Sequence, residues 1–374
     1  MKKVDWENSN SNVLCNPTYQ ANEKKLFYTI LNASDHLPGH VWLSTSGSTS
    51  QKWVGLSKQA ILSSASAVNQ HLESDSTDRW IQALPNFHIG GLSIKARAYL
   101  SGAEVYCYQG KWDPQSFYLM LQEQQGTLTT LVPTQLYDLV NLNLNAPSHL
   151  RAVVIGGGSL SQELYQRAIS LKWPILPSYG MTECASQVAT ASLMDLFKHE
   201  LPEMKILSHL EVCEQNGCLA IGGTSLLSCY AFLKNEQVVF KDPKNEGWFL
   251  SEDRGIVSNR CLKIHGRIDT MVKIGGESVD VAKLETLWQT IVHTHANAPE
   301  SVIIAIPNTR LGHVIHLAYV DDVDEKYLQE LIEKYQQAVL PFEKIRKINH
   351  LPYLPRSPLG KILKKELLSM LQAE

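Results

Sequence analysis

Among the seven cysteines of this 374-residue chain, at 15, 107, 184, 213, 218, 229 and 261, no two form a C-x-x-C pair, and their number is odd. That leaves no zinc-ribbon pattern and argues against a disulfide framework, so the thiols read as reduced. Cys184 reads as a small buried filler, a nucleophilic thiol being the alternative. No apolar run approaches the roughly 20 residues that span a bilayer, and the opening Met1-Lys2-Lys3-Val4-Asp5-Trp6-Glu7-Asn8 has no apolar stretch behind its lysines. A soluble, cytoplasmic protein without membrane insertion is expected. Charge of one sign is scarce too. The 34 Lys and Arg against 37 Asp and Glu leave a net charge of −3, which offers no broad attraction for nucleic acid or an anionic membrane surface. Any anion must be met by a local site. Internal repeats and low-complexity tracts are also missing.

What is present is an alternation of apolar runs and small-residue turns. Val41-Trp42-Leu43 leads into Thr45-Ser46-Gly47-Ser48-Thr49-Ser50-Gln51-Lys52. A strand ending in such a turn leaves backbone N–H groups and hydroxyls free to converge on an anion, phosphate first, the alternative being a solvated Ser/Thr loop. Ser57-Lys58-Gln59-Ala60 starts a helix with Ile61, Ala65, Val68 and Leu72 at helical spacing, which puts the loop between a strand and a helix. Arg151 to Ile155 is a buried-type strand broken by Gly156-Gly157-Gly158, and Ser161 opens a helix faced by Leu164, Ala168 and Leu171. Pro174-Ile175-Leu176-Pro177 then enters Ser178-Tyr179-Gly180-Met181-Thr182-Glu183. Strands alternating with helices predict an α/β domain with ligands at the carboxyl ends of its strands.

From about residue 205 shorter strands, such as 218–221 and 237–240, predict a β-rich subdomain. Beyond Gly266 a helix over 282–288, strands over 301–306 and 314–320, and an amphipathic helix over 324–339 carrying Leu328, Leu331, Ile332 and Tyr335 predict a small α+β domain. The expected division is therefore a large domain over 1–265 and a small mobile one over 266–374.

Seven blocks stand out: 45–52, Pro85-Asn86-Phe87-His88-Ile89-Gly90-Gly91-Leu92, Gly156-Gly157-Gly158-Ser159, Tyr179-Gly180-Met181-Thr182-Glu183, Ser251-Glu252-Asp253-Arg254-Gly255, Gly266-Arg267-Ile268-Asp269, and Pro355-Arg356-Ser357-Pro358-Leu359-Gly360-Lys361. Their order and spacing resemble the acyl-adenylating superfamily of acyl-CoA synthetases, peptide-synthetase adenylation domains and luciferases, from about residue 41 to the C-terminus. The likeness extends to the branch that acts on o-succinylbenzoate in menaquinone synthesis, through 87–92, the triple glycine, and Gly180-Met181-Thr182-Glu183-Cys184-Ala185-Ser186-Gln187.

The resemblance implies an AMP-forming ligase using ATP, Mg²⁺ and coenzyme A. A carboxylate attacks the α-phosphorus of ATP, and the CoA thiol then displaces AMP. It implies that Thr45, Ser46, Gly47, Ser48, Thr49 and Lys52 hold the β- and γ-phosphates. The family usually has a second glycine and a proline where this chain has Ser50 and Gln51, with one residue fewer. Thr182 would contact the α-phosphate and Glu183 would ligate Mg²⁺. Tyr179 would offer a face to adenine with Gly180 beside it, Gly158 and Ser159 would touch the ring's edge, and Asp253 and Arg267 would bind the ribose. Asp269 matches the hinge of the small domain, Gly275 and Gly276 the CoA-step loop, and Lys361 the catalytic ammonium of adenylation. His88, catalytic and substrate-lining by the same likeness, has a satisfied core histidine as its alternative. Ser186, Gln187 and Thr190 would face the acid.

The first domain is shorter before the phosphate loop than in many relatives, and a homodimer could cover apolar surface exposed there. Three alternatives stay open. They are a different aryl- or fatty-acyl-CoA ligase, an enzyme loading a carrier protein, and a catalytically silent nucleotide-binding protein.

Overall fold

The computed structural model describes residues 4–16, 29–30, 32–33, 37–44, 52–234, 237–275, 277–293, 298–320, 323–357 and 360–372. The chain divides into two compact units, one of Met1–Leu160, Tyr165–Ser251 and Ile256–Lys263, the other of Ser161–Leu164, Glu252–Gly255 and Ile264–Glu374.

Along the chain come β1 (Asn12–Leu14), β2 (His40–Ser44), β3 (Trp53–Ser57), α1 (Lys58–Leu72), β4 (Arg79–Gln82), α2 (Ile89–Ser101), β5 (Glu104–Cys107), α3 (Pro114–Glu123), β6 (Leu128–Leu131), α4 (Pro133–Asn141), β7 (Ala152–Ile155) and α5 (Gln162–Ser170). After them follow β8 (Ile175–Met181), β9 (Ser186–Thr190) and β10 (Met204–Ile206). Strands β4 to β8 lie parallel in the order β5-β4-β6-β7-β8, and the sheet continues antiparallel through β9 and β10. These strands are short because their apolar runs are short, and helices cover them; every residue of β7 is buried. Helix α1 starts where the Ser57 hydroxyl accepts the Ala60 N–H at 3.0 Å. It lays Ala67, Val68 and Leu72 against Trp80, Leu128, Val154 and Leu176, each large side chain contributing about 1.5–3 kcal/mol on burial.

The expected strand-to-helix setting of the 45–52 loop is corrected by this structure. Between loop and helix stands β3, paired antiparallel with β2 from His40↔Ser57 to Ser44↔Trp53. The segment therefore joins two strands of a hairpin and does not open onto a helix N-terminus. The strand was hidden because its five residues, Trp53-Val54-Gly55-Leu56-Ser57, run directly into the helix cap. Gly55 is required there, since a Cβ would come within 2.6 Å of the Trp42 ring.

Next come β11 (Leu210–Gln215), β12 (Cys218–Gly223), β13 (Cys229–Lys234), β14 (Gln237–Lys241) and β15 (Phe249–Leu250). β11, β12 and β15 form a small sheet of their own, whereas β13 crosses to pair with β3 through Tyr230↔Val54. Then β16 (Asp253–Ser258) and β17 (Cys261–Arg267) lead into the second unit. That unit holds β18 (Met271–Ile274), β19 (Glu277–Asp280), α6 (Val281–His293), β20 (Ser301–Asn308), β21 (Gly312–Tyr319), α7 (Glu325–Ala338), β22 (Ile345–His350) and α8 (Lys364–Gln372). Its sheet runs β19-β18-β21-β20 with β22 on β21. Strand β20 buries both faces: Ile303 meets Trp288, Leu331 and Tyr335 of α6 and α7, while Val302, Ile304 and Ile306 meet Leu367 and Leu371 of α8. Among the described residues no helix is long and apolar enough to cross a membrane.

Candidate active site

At the carboxyl edge of the parallel sheet, β7 ends in Gly156-Gly157-Gly158-Ser159 and its neighbour β8 runs on through Tyr179 and Gly180. Strands β8 and β9 form a hairpin with an irregularity between Tyr179 and Gly180. Gly180 is required by close approach, since a Cβ would lie 1.9 Å from the Ser186 carbonyl oxygen. The hairpin turns through a 3₁₀ segment, Thr182–Cys184, followed by Ala185 at φ 53° and Ser186 at φ 110°. Non-glycine residues held in such conformations cost of order 1–3 kcal/mol each and concentrate at functional turns. Here the strain presents Thr182 and Glu183 on a short, rigid corner. Cys184 is fully buried, as the filler reading expects. Burial also pushes the Cys229 thiol up to about 11, so neither has the setting of a nucleophile.

Segment 225–230 clamps this corner to β3. The Ser225 hydroxyl donates to the Cys184 carbonyl at 3.0 Å, the Leu227 N–H to the Glu183 carbonyl at 2.7 Å, and the Ser228 N–H to the Gly55 carbonyl at 2.8 Å. The Lys244 ammonium donates to the Leu227 carbonyl at 2.6 Å, and His40 Nε2 meets the Ser228 hydroxyl at 2.8 Å. Next in line, the Tyr230 hydroxyl donates to Glu183 Oε1 at 3.0 Å, and the Lys52 ammonium lies 5.4 Å from the centre of the Tyr230 ring.

The wall beside this turn is built by α2 and β9. His88 is the N-cap residue of α2, and the Ser93 hydroxyl approaches that of Ser186 at 3.4 Å. On β9 the Thr190 hydroxyl donates to Gln187 Oε1 at 2.8 Å and shares a 2.9 Å hydrogen bond with Ser178. Two buried polar atoms of this wall, His88 Nε2 and Gln187 Nε2, have no hydrogen-bond partner among the described residues, and further along α2 neither do Nε and Nη1 of Arg97. His88 is thus not the satisfied core histidine of the alternative reading. Desolvation lowers its pKa to about 4, so the imidazole is neutral at physiological pH. Arg97 is 1% exposed and its guanidinium lies 5.4 Å from the Trp80 ring centre. Burial pushes it down to about 9, which still leaves it cationic at neutral pH. A desolvated cation is unfavourable until an anion joins it. Arg97 had no functional reading in the sequence, since an Arg in a helix next to Lys95 reads as solvated. The available signal was the i, i+3, i+7 alignment of Gly90, Ser93 and Arg97 on one helix face.

In the second unit, Asp253 and Arg267 meet, Nη1 to Oδ1 at 3.4 Å. Arg267 also bonds the Glu252 carboxylate, a partner to which the sequence assigned no role. Asp253 is buried at 9% exposure. Lys361 is exposed on a tight loop closed by the Ser357 N–H to the Lys361 carbonyl at 2.7 Å and by an Arg356↔Ile362 bridge. Gly275 ends the β18 side of a hairpin and donates to the Leu311 carbonyl at 2.8 Å. Thr45, Ser46, Gly47, Ser48, Thr49 and Gly276 lie outside the described residues. Asp269 lies in a 3₁₀ turn, 268–270.

A parallel sheet whose glycine turns gather at its carboxyl edge, followed by a strained hairpin bearing Thr and Glu, defines an α/β protein of the nucleotide-binding class. Comparison makes the class specific. The chain belongs to the AMP-binding enzyme family, whose model matches residues 41–231. It is 29% identical over 316 residues to the 2-succinylbenzoate–CoA ligase of Bacillus licheniformis, covering 81% of this chain and 63% of that protein. To the 2-succinylbenzoate–CoA ligase of Staphylococcus epidermidis it is 28% identical over 333 residues, covering 87% and 68%. The solved o-succinylbenzoate coenzyme A synthetase of Bacillus subtilis, in complex with ATP and magnesium ion, is similar at a TM-score of 0.73 and 25% identity, over 87% of this chain and 68% of that one. The chain thus spans just under two thirds of the Bacillus licheniformis relative's length.

Proposed function

We propose that this protein is an ATP- and Mg²⁺-dependent acid–CoA ligase acting on 2-succinylbenzoate (o-succinylbenzoate) in the cytoplasmic synthesis of menaquinone. In the first half-reaction a carboxylate oxygen bonds the α-phosphorus while the bond to the pyrophosphate leaving group breaks. In the second, the CoA sulfur bonds the acyl carbon, its proton leaves to solvent, and AMP departs. The reading assigns adenine to Tyr179, Gly180, Gly158 and Ser159, the α-phosphate to Thr182, pyrophosphate to residues 45–49 with Lys52, and the ribose to Asp253 and Arg267. Lys361 neutralises charge developing on the pentavalent phosphorus. Gly275 and Gly276 serve the thioester step, and the small domain turns near Asp269.

The metal fits the donor set. No cluster of three or more His, Cys, Asp or Glu occurs among the described residues. A single carboxylate, Glu183, beside a triphosphate matches an ion that keeps its waters and takes few protein ligands. When bound, Mg²⁺ supplies neutralisation of phosphate charge.

The observation that carries the choice of acid is the buried Arg97, whose Nε and Nη1 have no hydrogen-bond partner among the described residues. A simple aryl or fatty acid has one carboxylate, which reacts; a dicarboxylate has a second that needs a cation. The reading gives that role to Arg97, and to His88, Ser186, Gln187 and Thr190 the neutral hydrogen bonds to the acid. Pyrophosphate exchange and CoA-thioester formation with 2-succinylbenzoate, benzoate and medium-chain fatty acids test the reading. Strong turnover with 2-succinylbenzoate alone is expected, and equal turnover with benzoate rejects the dicarboxylate assignment. A homodimer covering exposed apolar residues such as Tyr99 and Leu100 belongs to the same reading, and a monomer in light scattering at high concentration rejects it.

A further inference from the structure

Tyr230 touches both charged groups that the adenylation reading aims at the phosphates, although it lies in none of the sequence blocks. Its hydroxyl donates to Glu183 Oε1 at 3.0 Å, and its ring face takes the Lys52 ammonium at 5.4 Å from the centroid. The ring is not free to follow either group. Tyr230 is locked in register opposite Val54, and the residues just before it are tied to the Glu183 and Cys184 carbonyls and to Gly55. A phenol hydrogen bond to a carboxylate is charge-assisted and fixes the carboxylate's orientation. A ring beneath an ammonium restrains a side chain that otherwise has large rotamer freedom.

We infer that Tyr230 is a positioning residue for adenylation: through its hydroxyl it sets the Glu183 carboxylate for the Mg²⁺ of the nucleotide, and through its ring it holds Lys52 toward the departing pyrophosphate. This rests on the adenylation reading above. It also accounts for a phosphate loop without the family's usual second glycine and proline. The cation at its end is steered from β13, not by the loop alone.

The test compares Tyr230→Phe, which keeps the ring, with Tyr230→Leu, which keeps neither function. Mn²⁺ binding to the full chain is followed by electron paramagnetic resonance with α,β-methylene-ATP, and pyrophosphate exchange is measured against Mg²⁺ concentration. Tyr230→Phe should weaken Mn²⁺ binding about fivefold to tenfold and raise the Mg²⁺ requirement to match, with KM for the acid and the melting temperature unchanged. Tyr230→Leu should in addition raise KM for ATP, and Lys52→Ala should add little in that background while still acting in the Tyr230→Phe background. Wild-type Mn²⁺ affinity in Tyr230→Phe overturns the inference. So does a loss seen equally for the nucleotide without metal. Failure of the wild type to exchange pyrophosphate with any acid counts instead against the adenylation reading, and the Mn²⁺ measurements still decide the role of Tyr230.

Discussion

Burial decides the charge state of several side chains here, and two of the three histidines that it lowers show the consequence for pH. His88 and His209 are both pushed down to about 4 by desolvation, against an ordinary value near 6.5. Between those values the unfolded chain binds protons that the native chain does not. Stability is therefore greatest above pH 6.5 and is lost as pH falls toward 4. The melting temperature should drop across that window, and His209→Gln should flatten part of the slope; a profile that is flat in the wild type contradicts it. Arg97 is the other residue governed by desolvation. Arg97→Met should raise KM for 2-succinylbenzoate about tenfold to a hundredfold, and the melting temperature should hold or rise, because an apolar side chain replaces a buried cation. A large fall in melting temperature with unchanged KM would mark Arg97 as structural.

Among the elements, the β8–β9 hairpin is the one whose shape the proposed chemistry depends on. Gly180→Ala forces a Cβ against the Ser186 carbonyl oxygen at 1.9 Å, so the strands must part and the Thr182–Cys184 corner must move. A loss of about 1–3 kcal/mol or more is expected in urea unfolding, together with loss of nucleotide binding by calorimetry; wild-type nucleotide affinity in a folded variant would show that the corner does not hold the phosphates. The helices α1, α6 and α7 and the strands β7, β12, β20 and β21 were legible because apolar periodicity and caps mark them, as with Ser57 before α1 and Asp324 before α7. Strand β3 was not. Its apolar residues abut a helix without an intervening turn, so nothing local separates a short strand from the helix that follows.

At the scale of the whole molecule, two compact units divide the assigned roles, with the phosphate corner in the first and Lys361 in the second. Lys361→Ala should slow adenylation by ~10²-fold or more yet leave thioester formation from supplied acyl-adenylate near wild type, as read by rapid-quench kinetics. Equal loss of both steps would contradict the division. Family and fold class were legible in the chain order alone, because glycine turns, the Thr182-Glu183 pair and the Lys361 loop, from which the proposed site is built, are local motifs whose spacing is kept along the backbone. Three features came only from tertiary structure: the burial of Arg97 against Trp80, the unpartnered His88 Nε2, and the meeting of Lys52, Glu183 and Tyr230. Each depends on how distant strands pair and on which atoms lose water when they do, and neither pairing nor desolvation is written in the neighbours of a residue along the chain.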